Sequence, residues 1–354
     1  MPEQTALPHA YRTIDPEKRG GVCPILPRNV FIEVTNRCNL RCETCPRTYA
    51  TTELPKDLSL EEFVAIAEQF PEMERAVLHG IGEPLLNAQL AEMIRYLKGR
   101  GVTVLFNSNG TLLDPPHQEA LALSGLDEYR LSLDAAHPEL YAKIRGRPYF
   151  DRVITHLTQF VKTISDLGTH TPRLSIWCMA MKENIEDLPA LVTLAADMGV
   201  HEVYLQRLTY MVSKDERYGL GQQEQALFGN LQARESDVIE QCEVLSREAG
   251  ISFQASGATD PGHSLRGAES TAAQPWSACL RPWTTAYITA NGNALPCCIS
   301  PFSTARYDEL ILGNVWQKPF KDIWNDVSYR RWREAVLGPK PHQACTGCGV
   351  YWSL

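Results

Sequence analysis

The chain has 354 residues, a mass of 39.7 kDa and a formal net charge of -8. This length suits one large domain with a smaller second one, and the acidic balance argues against a general nucleic-acid or anionic-membrane surface. No apolar run approaches the roughly 20 residues of a membrane span, and no export signal begins the sequence. We therefore expect a cytoplasmic protein with neither a nucleic-acid nor a membrane partner.

The chain contains eleven cysteines. In the absence of an export signal we expect reduced thiols, so that metal or cluster ligation is favoured over a disulfide framework. The odd number fits this expectation because cluster ligands need no pairing.

Residues 1–28 are rich in Pro and charge and are predicted to form an irregular arm. From Asn29 onward, short apolar runs predict strands at 30–34, 76–79, 102–107, 129–133, 174–179 and 202–205. Helical patterns between them predict helices at 60–70, 90–97, 118–123, 153–167 and 188–198. The first of these helices begins with the capping box Ser59-x-x-Glu62, and Gly199 ends the last one.

Six strand-then-helix units predict an α/β fold in which a parallel sheet curls into a partial (β/α)6, TIM-like barrel over residues 29–222. The loops that follow the strands then meet at one end of the barrel, where barrel active sites lie.

Residues 208–221 form a polar stretch that either covers the barrel mouth or connects domains. Residues 223–275 are predicted to hold a helix at 224–249 and a linker. Residues 276–354 are dense in Cys and Trp and are predicted to form a small domain. It contains a β-hairpin that turns at Asn291-Gly292 and a final helix at 319–337.

Cys38, Cys42 and Cys45 follow the first predicted strand with the spacing CxxxCxxC. Three thiolates hold three irons of a [4Fe-4S] cube and leave the fourth iron open for chemistry, whereas four thiolates leave only electron transfer. The alternative is a zinc knuckle, but structural zinc normally takes four ligands, and no fourth Cys or nearby His completes this group.

The triplet resembles that of the radical S-adenosylmethionine (SAM) enzymes. The resemblance implies a [4Fe-4S] cluster with SAM at its open iron. It also implies reductive cleavage of SAM to a 5'-deoxyadenosyl radical, which removes a hydrogen atom from the substrate. A flavodoxin- or ferredoxin-type protein is the implied electron donor.

A second constellation consists of Cys279, Cys297, Cys345 and Cys348. It resembles the C-terminal extension of a radical SAM subgroup, called SPASM in its full form and twitch in its shorter form. The resemblance implies one auxiliary [4Fe-4S] cluster, since six residues follow Cys348. A four-cysteine zinc ribbon is the alternative. Cys298 is not expected to share the metal of Cys297, because neighbouring strand residues face opposite ways.

The resemblance also suggests which residues hold SAM. Gly80, Gly82 and Glu83 resemble the family's Gly-Gly-Glu motif, which binds the methionyl amine, although Ile81 separates the two glycines here. Polar residues at the other strand ends are further candidates for SAM contacts: Asn107, Asn109, Ser132, Asp134, Arg145 and Gln206. The alternatives are that Asp134 caps the next helix, Asn109 turns the chain and Arg145 is an exposed helical residue.

An auxiliary cluster that accepts an electron favours a net oxidation. The one-cluster arrangement resembles that of the family's aminocyclitol dehydrogenases, so the first hypothesis is oxidation of a sugar, an aminocyclitol or a related small-molecule alcohol. Arg207, Tyr204 or Tyr210 is then the candidate base. The alternatives are a peptide maturase, disfavoured by the short N-terminal arm, a sugar epimerase with Cys178 as hydrogen donor, and a non-catalytic zinc module.

Overall fold

The computed structural model describes residues 15–208, 221–256, 260–266, 274–303, 306–346 and 348. Ten strands of this part form one sheet. They are β1 (Asn29–Ile32), β2 (Arg75–Val77), β3 (Thr103–Ser108), β4 (Glu128–Ser132), β5 (Arg173–Ala180), β6 (Glu202–Arg207), β7 (Ser252–Ala255), β8 (Thr285–Ile288), β9 (Asn293–Leu295) and β10 (Gly313–Asn314). Their order in the sheet is β10-β9-β8-β1-β2-β3-β4-β5-β6-β7.

The first seven strands run parallel from β1 to β7 and form the predicted partial barrel. The predicted α/β fold class is confirmed. The seventh strand, β7, lies where the sequence suggested the end of a helix and a linker. Its Phe253 pairs in register with Val203 of β6, so this short segment extends the parallel sheet.

The described residues also contain twelve α-helices. They are α1 (Leu60–Ala67), α2 (Leu90–Gly99), α3 (Pro115–Ala122), α4 (Pro138–Arg145), α5 (Phe150–Asp166), α6 (Leu188–Asp197), α7 (Ala233–Ala249), α8 (Pro261–Arg266), α9 (Arg281–Thr284), α10 (Phe320–Trp324), α11 (Val327–Leu337) and α12 (Gln343–Thr346). None of the helices in these ranges has both the length and the apolar composition to cross a membrane.

Local signals explain several helix ends, and two predicted helices differ clearly from the prediction. The helix predicted at 224–249 begins only at Ala233, as α7. Ser59 and Glu62 form the expected reciprocal capping box of α1, and Gly199, with φ +75°, follows the last turn of α6. The single helix predicted at 319–337 is two helices, α10 and α11. The carboxylate of Asp326 accepts a hydrogen bond from the Val327 N–H at 2.7 Å and starts the second one.

The C-terminal hairpin continues the barrel sheet. Strand β8 pairs in parallel with β1, with Phe31 opposite Tyr287, and it pairs antiparallel with β9 across the predicted Asn291-Gly292 turn. Gly292 has φ +83°, a conformation that favours glycine. The Cys-rich C-terminal region is therefore joined to the barrel through backbone hydrogen bonds to its first strand.

The described part of the N-terminal arm packs on the C-terminal region. The indole N–H of Trp283 donates to the Gly20 carbonyl at 2.8 Å, and that of Trp324 donates to the Ile25 carbonyl at 2.9 Å. Cys23 lies buried between them and exchanges two hydrogen bonds with the side chain of Asn325. The arm and the last helices thus form one packed unit.

Candidate active site

Cys38, Cys42 and Cys45 lie in the loop after β1, at the end of the barrel where the parallel strands end. The Cys45 N–H donates to the Cys42 carbonyl at 3.2 Å and tightens the loop. Burial, followed by the charge of neighbouring groups that include the other thiols, raises the pKa of Cys38 to about 11 and that of Cys45 to about 12. Each of these thiols resists ionisation because it is buried and lies near other negative groups. Iron ions would compensate the negative charge and stabilise the thiolates, so the three thiols fit an iron centre.

The C-terminal end of α4 braces this loop. The Glu43 N–H donates to the Ile144 carbonyl at 2.9 Å. Gly146 has φ +72°, and a Cβ at this position would collide with the Arg41 carbonyl. The Ile144-Arg145-Gly146 segment therefore fixes the cysteine loop through backbone contacts on both sides of Arg145.

The Arg145 side chain is only 12% exposed, so it is not the exposed helical residue of the alternative. It pairs with Asp134 at 2.6 Å. Although burial lowers the pKa of Arg145, the charges of Asp134 and Cys42 raise it above its ordinary value. The second Asp134 oxygen accepts from the Met179 N–H at 2.7 Å, and α4 has His137 at its N-cap. Asp134 is therefore an ion-pair partner next to Cys42 and does not cap the helix.

Glu83 is buried at the end of β2. Its carboxylate accepts hydrogen bonds from the Ser108 hydroxyl and the Asn109 N–H, both at 2.7 Å. Burial raises the pKa of Glu83. A Cβ on Gly82 would collide with the Thr35 carbonyl, so the glycine lets the loop that carries Glu83 approach the cysteine loop closely.

Asn109 connects the end of β3 to the cysteine loop. Its amide nitrogen donates to the Asn39 side chain at 2.9 Å and to the Cys38 Sγ at 3.9 Å. It therefore does more than turn the chain. The other β3 candidate, Asn107, donates its backbone N–H to His79 Nδ1 at 3.1 Å, and burial lowers the pKa of His79 to about 3.

The barrel interior carries a row of half-buried side chains that includes two predicted site residues. Ser132, Trp177, Tyr204 and Gln254 stand in register across β4 to β7, with Gln206 two residues beyond Tyr204. The rings of Trp177 and Tyr204 stack with centroids 4.0 Å apart. The sequence offered no signal for this stack, because the pairing of β5 with β6 creates it.

A cation also packs against Trp177. The Arg130 guanidinium lies 4.0 Å from the centroid of the Trp177 ring. A cation and the Tyr204 ring therefore both pack against Trp177 and fix the position of its indole.

Two of the predicted catalytic residues have structural contacts instead. Arg207 is fully buried, and its guanidinium donates to the Ser264 carbonyl at 2.8 Å and to the Ser256 carbonyl at 3.4 Å. It ties β6 to the segment after β7, and a protonated guanidinium that donates to carbonyls is not placed to act as a base. Tyr210, a further candidate base, lies outside the described residues.

Cys178 lies on the opposite side of β5 from Trp177. It is buried in the hydrophobic core, where the Asn184 amide donates to its Sγ at 3.6 Å. Burial raises the pKa of this thiol well above its ordinary value. The position does not support the predicted role as a hydrogen donor to a substrate in the barrel interior.

Tyr141 was not predicted from the sequence. It is fully buried in α4, and burial, followed by the charges of Arg145 and Cys42, leaves its pKa raised to about 12. Its hydroxyl has no hydrogen-bond partner among the described residues. A buried tyrosine of an amphipathic helix gives no sequence signal that separates it from a core residue.

The four C-terminal cysteines line one cavity with Trp276, Arg281 and Trp332; these thiols are Cys279, Cys297, Cys345 and Cys348. Although burial lowers the pKa of Arg281, the charges of Cys298, Cys279, Cys348 and Cys297 raise it above its ordinary value. A buried cation among several thiols fits a group held by thiolates, because the two charges compensate each other.

The zinc alternative needs these or other ligands grouped around a single ion. Within the described ranges, no group of three or more His, Cys, Asp or Glu side chains is placed around one metal ion, so side-chain placement alone does not separate zinc from a [4Fe-4S] cluster. All eleven cysteines are free thiols.

Two family models match the chain. The model of the radical SAM superfamily matches residues 32–195, which hold the cysteine triplet and β2 to β5. The SPASM model, an iron-sulfur cluster-binding domain, matches residues 279–349. The chain is a radical SAM protein with a C-terminal SPASM domain. Its cofactors are accordingly SAM and [4Fe-4S] clusters, and the zinc hypothesis is set aside.

Curated relatives divide into partial and nearly full-length matches to this radical SAM protein. It is 31% identical to the tungsten-containing aldehyde ferredoxin oxidoreductase cofactor-modifying protein of Pyrococcus furiosus, over 51% of this chain and 51% of that protein. The chain thus spans about half the length of this relative. It is 23% identical to the PqqA peptide cyclase of Xanthomonas campestris, over 92% of this chain and 81% of the relative.

A further relative matches through both modules. The chain is 25% identical to the mycofactocin maturase MftC of Mycolicibacterium smegmatis, over 98% of this chain and 81% of the relative. Among solved structures, Streptococcus suis SuiB bound to S-adenosylmethionine superposes with a TM-score of 0.66 at 19% identity, covering 88% of this chain and 68% of SuiB. This likeness supports the fold of the radical SAM protein.

Proposed function

We propose that this radical SAM protein modifies a peptide. The observation that carries the proposal is the extent of the similarity to the PqqA peptide cyclase, which spans 92% of the chain and so includes the barrel and the SPASM domain. The similarity to the mycofactocin maturase spans 98% of the chain. A relative that matches through both the barrel and the SPASM domain is a better guide to the reaction than a relative that matches through the barrel alone.

In this proposal Cys38, Cys42 and Cys45 hold the [4Fe-4S] cluster, and the loop from Gly80 to Glu83 holds the SAM amine. When bound, the cluster and SAM together supply a 5'-deoxyadenosyl radical that removes a hydrogen atom from the substrate. The buried carboxylate of Glu83 pairs with the ammonium group of SAM. Burial raises the pKa of Glu83, and a bound cation would lower it again and favour the charged carboxylate. Arg145 and Asp134 hold the cysteine loop in place.

The barrel interior receives the peptide side chain in this proposal. The stacked Trp177 and Tyr204, with Arg130 behind them, form a rigid wall that orients an apolar or aromatic side chain and excludes water. Cys279, Cys297, Cys345 and Cys348 would hold the auxiliary cluster, which would supply a one-electron acceptor for the oxidation of the peptide. The protein that supplies electrons to the first cluster remains a flavodoxin- or ferredoxin-type donor.

The first hypothesis from the sequence, oxidation of a sugar or aminocyclitol, has no support among the curated relatives described above. It rested on the number of auxiliary-cluster ligands, which does not define a substrate. The epimerase hypothesis needed Cys178, which is buried on the other side of β5.

The test uses the anaerobically reconstituted protein, a strong reductant, SAM and synthetic peptides encoded next to its gene. We expect 5'-deoxyadenosine and a peptide that has lost two hydrogens in a new cross-link, both measured by mass spectrometry. A parallel set of reactions contains aminocyclitols and sugar alcohols in place of the peptides. Conversion of one of these alcohols to a ketone, with every peptide unchanged, would overturn the proposal.

A further inference from the structure

Glu33 follows β1 directly and is 2% exposed. Three donors from two separate segments of the chain meet its carboxylate. Oε2 accepts from the Ile81 N–H and from the Tyr287 hydroxyl, each at 3.0 Å, and Oε1 accepts from the Ala290 N–H at 3.3 Å. The carboxylate therefore joins the end of β2 to the C-terminal hairpin.

The β2 side of this junction is the loop from Gly80 to Glu83. Gly80 packs so closely that a Cβ would collide with both the Glu33 carboxylate and the Tyr287 hydroxyl. Two residues after Ile81, the Glu83 N–H donates to the Arg37 carbonyl at 2.7 Å. The loop is thus fixed at Ile81 by Glu33 and at Glu83 by the backbone next to the cysteine triplet.

We propose that Glu33 is a positioning residue for SAM, which sets the SAM-binding loop by linking Ile81 to Tyr287 and Ala290 of the SPASM hairpin. Through this link the hairpin of the C-terminal domain supports cofactor binding in the barrel. Glu33 contacts the loop that holds SAM and acts through it. This role of Glu33 rests on the proposed binding of SAM by the loop from Gly80 to Glu83 and is the same for any class of substrate.

Glu53 provides a matched control, because its carboxylate also accepts hydrogen bonds from the C-terminal hairpin but at a different place. The Glu53 carboxylate accepts from the side-chain amides of Asn291 at 2.9 Å and Asn293 at 3.0 Å, and from the Tyr307 hydroxyl at 2.8 Å. These contacts fasten the hairpin turn to the loop before α1. Among the described residues, no recorded hydrogen bond joins Glu53 to the loop from Gly80 to Glu83.

The experiment compares Glu33→Gln with Glu53→Gln in the reconstituted, cluster-loaded protein without peptide. A glutamine has a single acceptor oxygen, so at position 33 its NH2 group faces one of the backbone donors. At about pH 8, where the carboxylate carries its charge, we expect Glu33→Gln to bind SAM about tenfold more weakly, since an uncharged amide holds the loop less strongly than a carboxylate does. The dissociation constant is measured by equilibrium dialysis. The change that SAM causes in the electron paramagnetic resonance (EPR) spectrum of the reduced cluster gives a second readout.

Glu53→Gln loosens the same hairpin and should leave both SAM readouts at the wild-type value, even if the melting temperatures of the two variants fall equally. A second pair, Tyr287→Phe and Tyr307→Phe, removes one hydroxyl from each carboxylate and should show the same difference in milder form. That pair tests the inference if Glu33→Gln does not fold. Wild-type SAM affinity in Glu33→Gln or Tyr287→Phe, or equal losses in the Glu53 and Tyr307 variants, overturns it.

Discussion

The two cysteine groups differ in what surrounds them more than in their own residues. The triplet at the barrel end lies among groups that can bind a charged small molecule, namely the buried Glu83 and the Asp134–Arg145 pair. The C-terminal group lines a cavity with Trp276, Trp332 and a single buried guanidinium. The first environment suits ligand exchange at an open iron. The second suits a closed cluster that only passes electrons.

The strongest test of this difference removes a thiol from each group. Cys42→Ala should abolish SAM cleavage, because the open-iron cluster loses one of three ligands. Cys297→Ala should keep SAM cleavage and lose the modified product, since the electron released by the substrate then has no acceptor. Chromatography measures 5'-deoxyadenosine, and mass spectrometry measures product. Equal loss of SAM cleavage in both variants would show that the two groups do not have separate roles.

The next largest effect is expected at the ion pair beside the triplet. Arg145→Met leaves the buried Asp134 carboxylate without its partner, and we expect a loss of about 3–5 kcal/mol of stability. The double variant Asp134→Asn/Arg145→Met should recover part of this loss. Chemical denaturation measures it, with the exposed Lys143→Ala as a control. Iron of the C-terminal cluster should stay bound in Arg145→Met, and its loss there would contradict the separation of the two sites.

Glu33 lies between the barrel and the C-terminal hairpin, and its ionisation makes the free energy of unfolding depend on pH. Burial, as the largest cause, raises its pKa from 4.5 to about 7. The folded state therefore holds a proton that the unfolded chain releases, and stability falls as pH rises from 4.5 to 7. Glu33→Gln cannot release this proton, so wild type should lose about 3 kcal/mol relative to the variant across that window. Parallel pH curves of unfolding free energy would contradict this.

The smallest effect concerns the cation in the C-terminal cavity. Arg281→Gln should make the midpoint potential of the auxiliary cluster more negative, on the order of tens of millivolts, because a positive charge stabilises the reduced form. EPR-monitored redox titration measures the shift, with Arg281→Lys to keep the charge. Arg331→Gln is the control, since this arginine of α11 is exposed and does not line the cavity. An unchanged potential in Arg281→Gln would place the cation outside the field of the cluster.

Local patterns predicted the elements well. The capping box at Ser59 and the turn at Asn291-Gly292 depend on a few neighbouring residues, and both occur as expected. Contacts between distant segments were not predictable. The pairing of β8 with β1 joins Phe31 to Tyr287, and nothing in either short apolar run specifies its partner.

The candidate site shows the same division. The spacing of Cys38, Cys42 and Cys45 was informative because ligands of one cluster lie close together in the sequence. The roles of Arg207 and Cys178 could not be predicted in this way, because they depend on which side of a strand faces the barrel interior. They also depend on partners outside the strand: Ser264 lies 57 residues after Arg207, and Asn184 lies in the turn after β5.

The junction of β1 with β8 also has a consequence for biosynthesis. On the ribosome β1 emerges early, while the strand that flanks it on one side and the tryptophans that cover Gly20 and Ile25 are translated more than 250 residues later. Contacts of such long range form late and slowly. One edge of β1 in the nascent barrel therefore stays unpaired, and able to pair with another chain, until synthesis is almost finished. A protein truncated before β8 keeps this unpaired edge and is expected to aggregate.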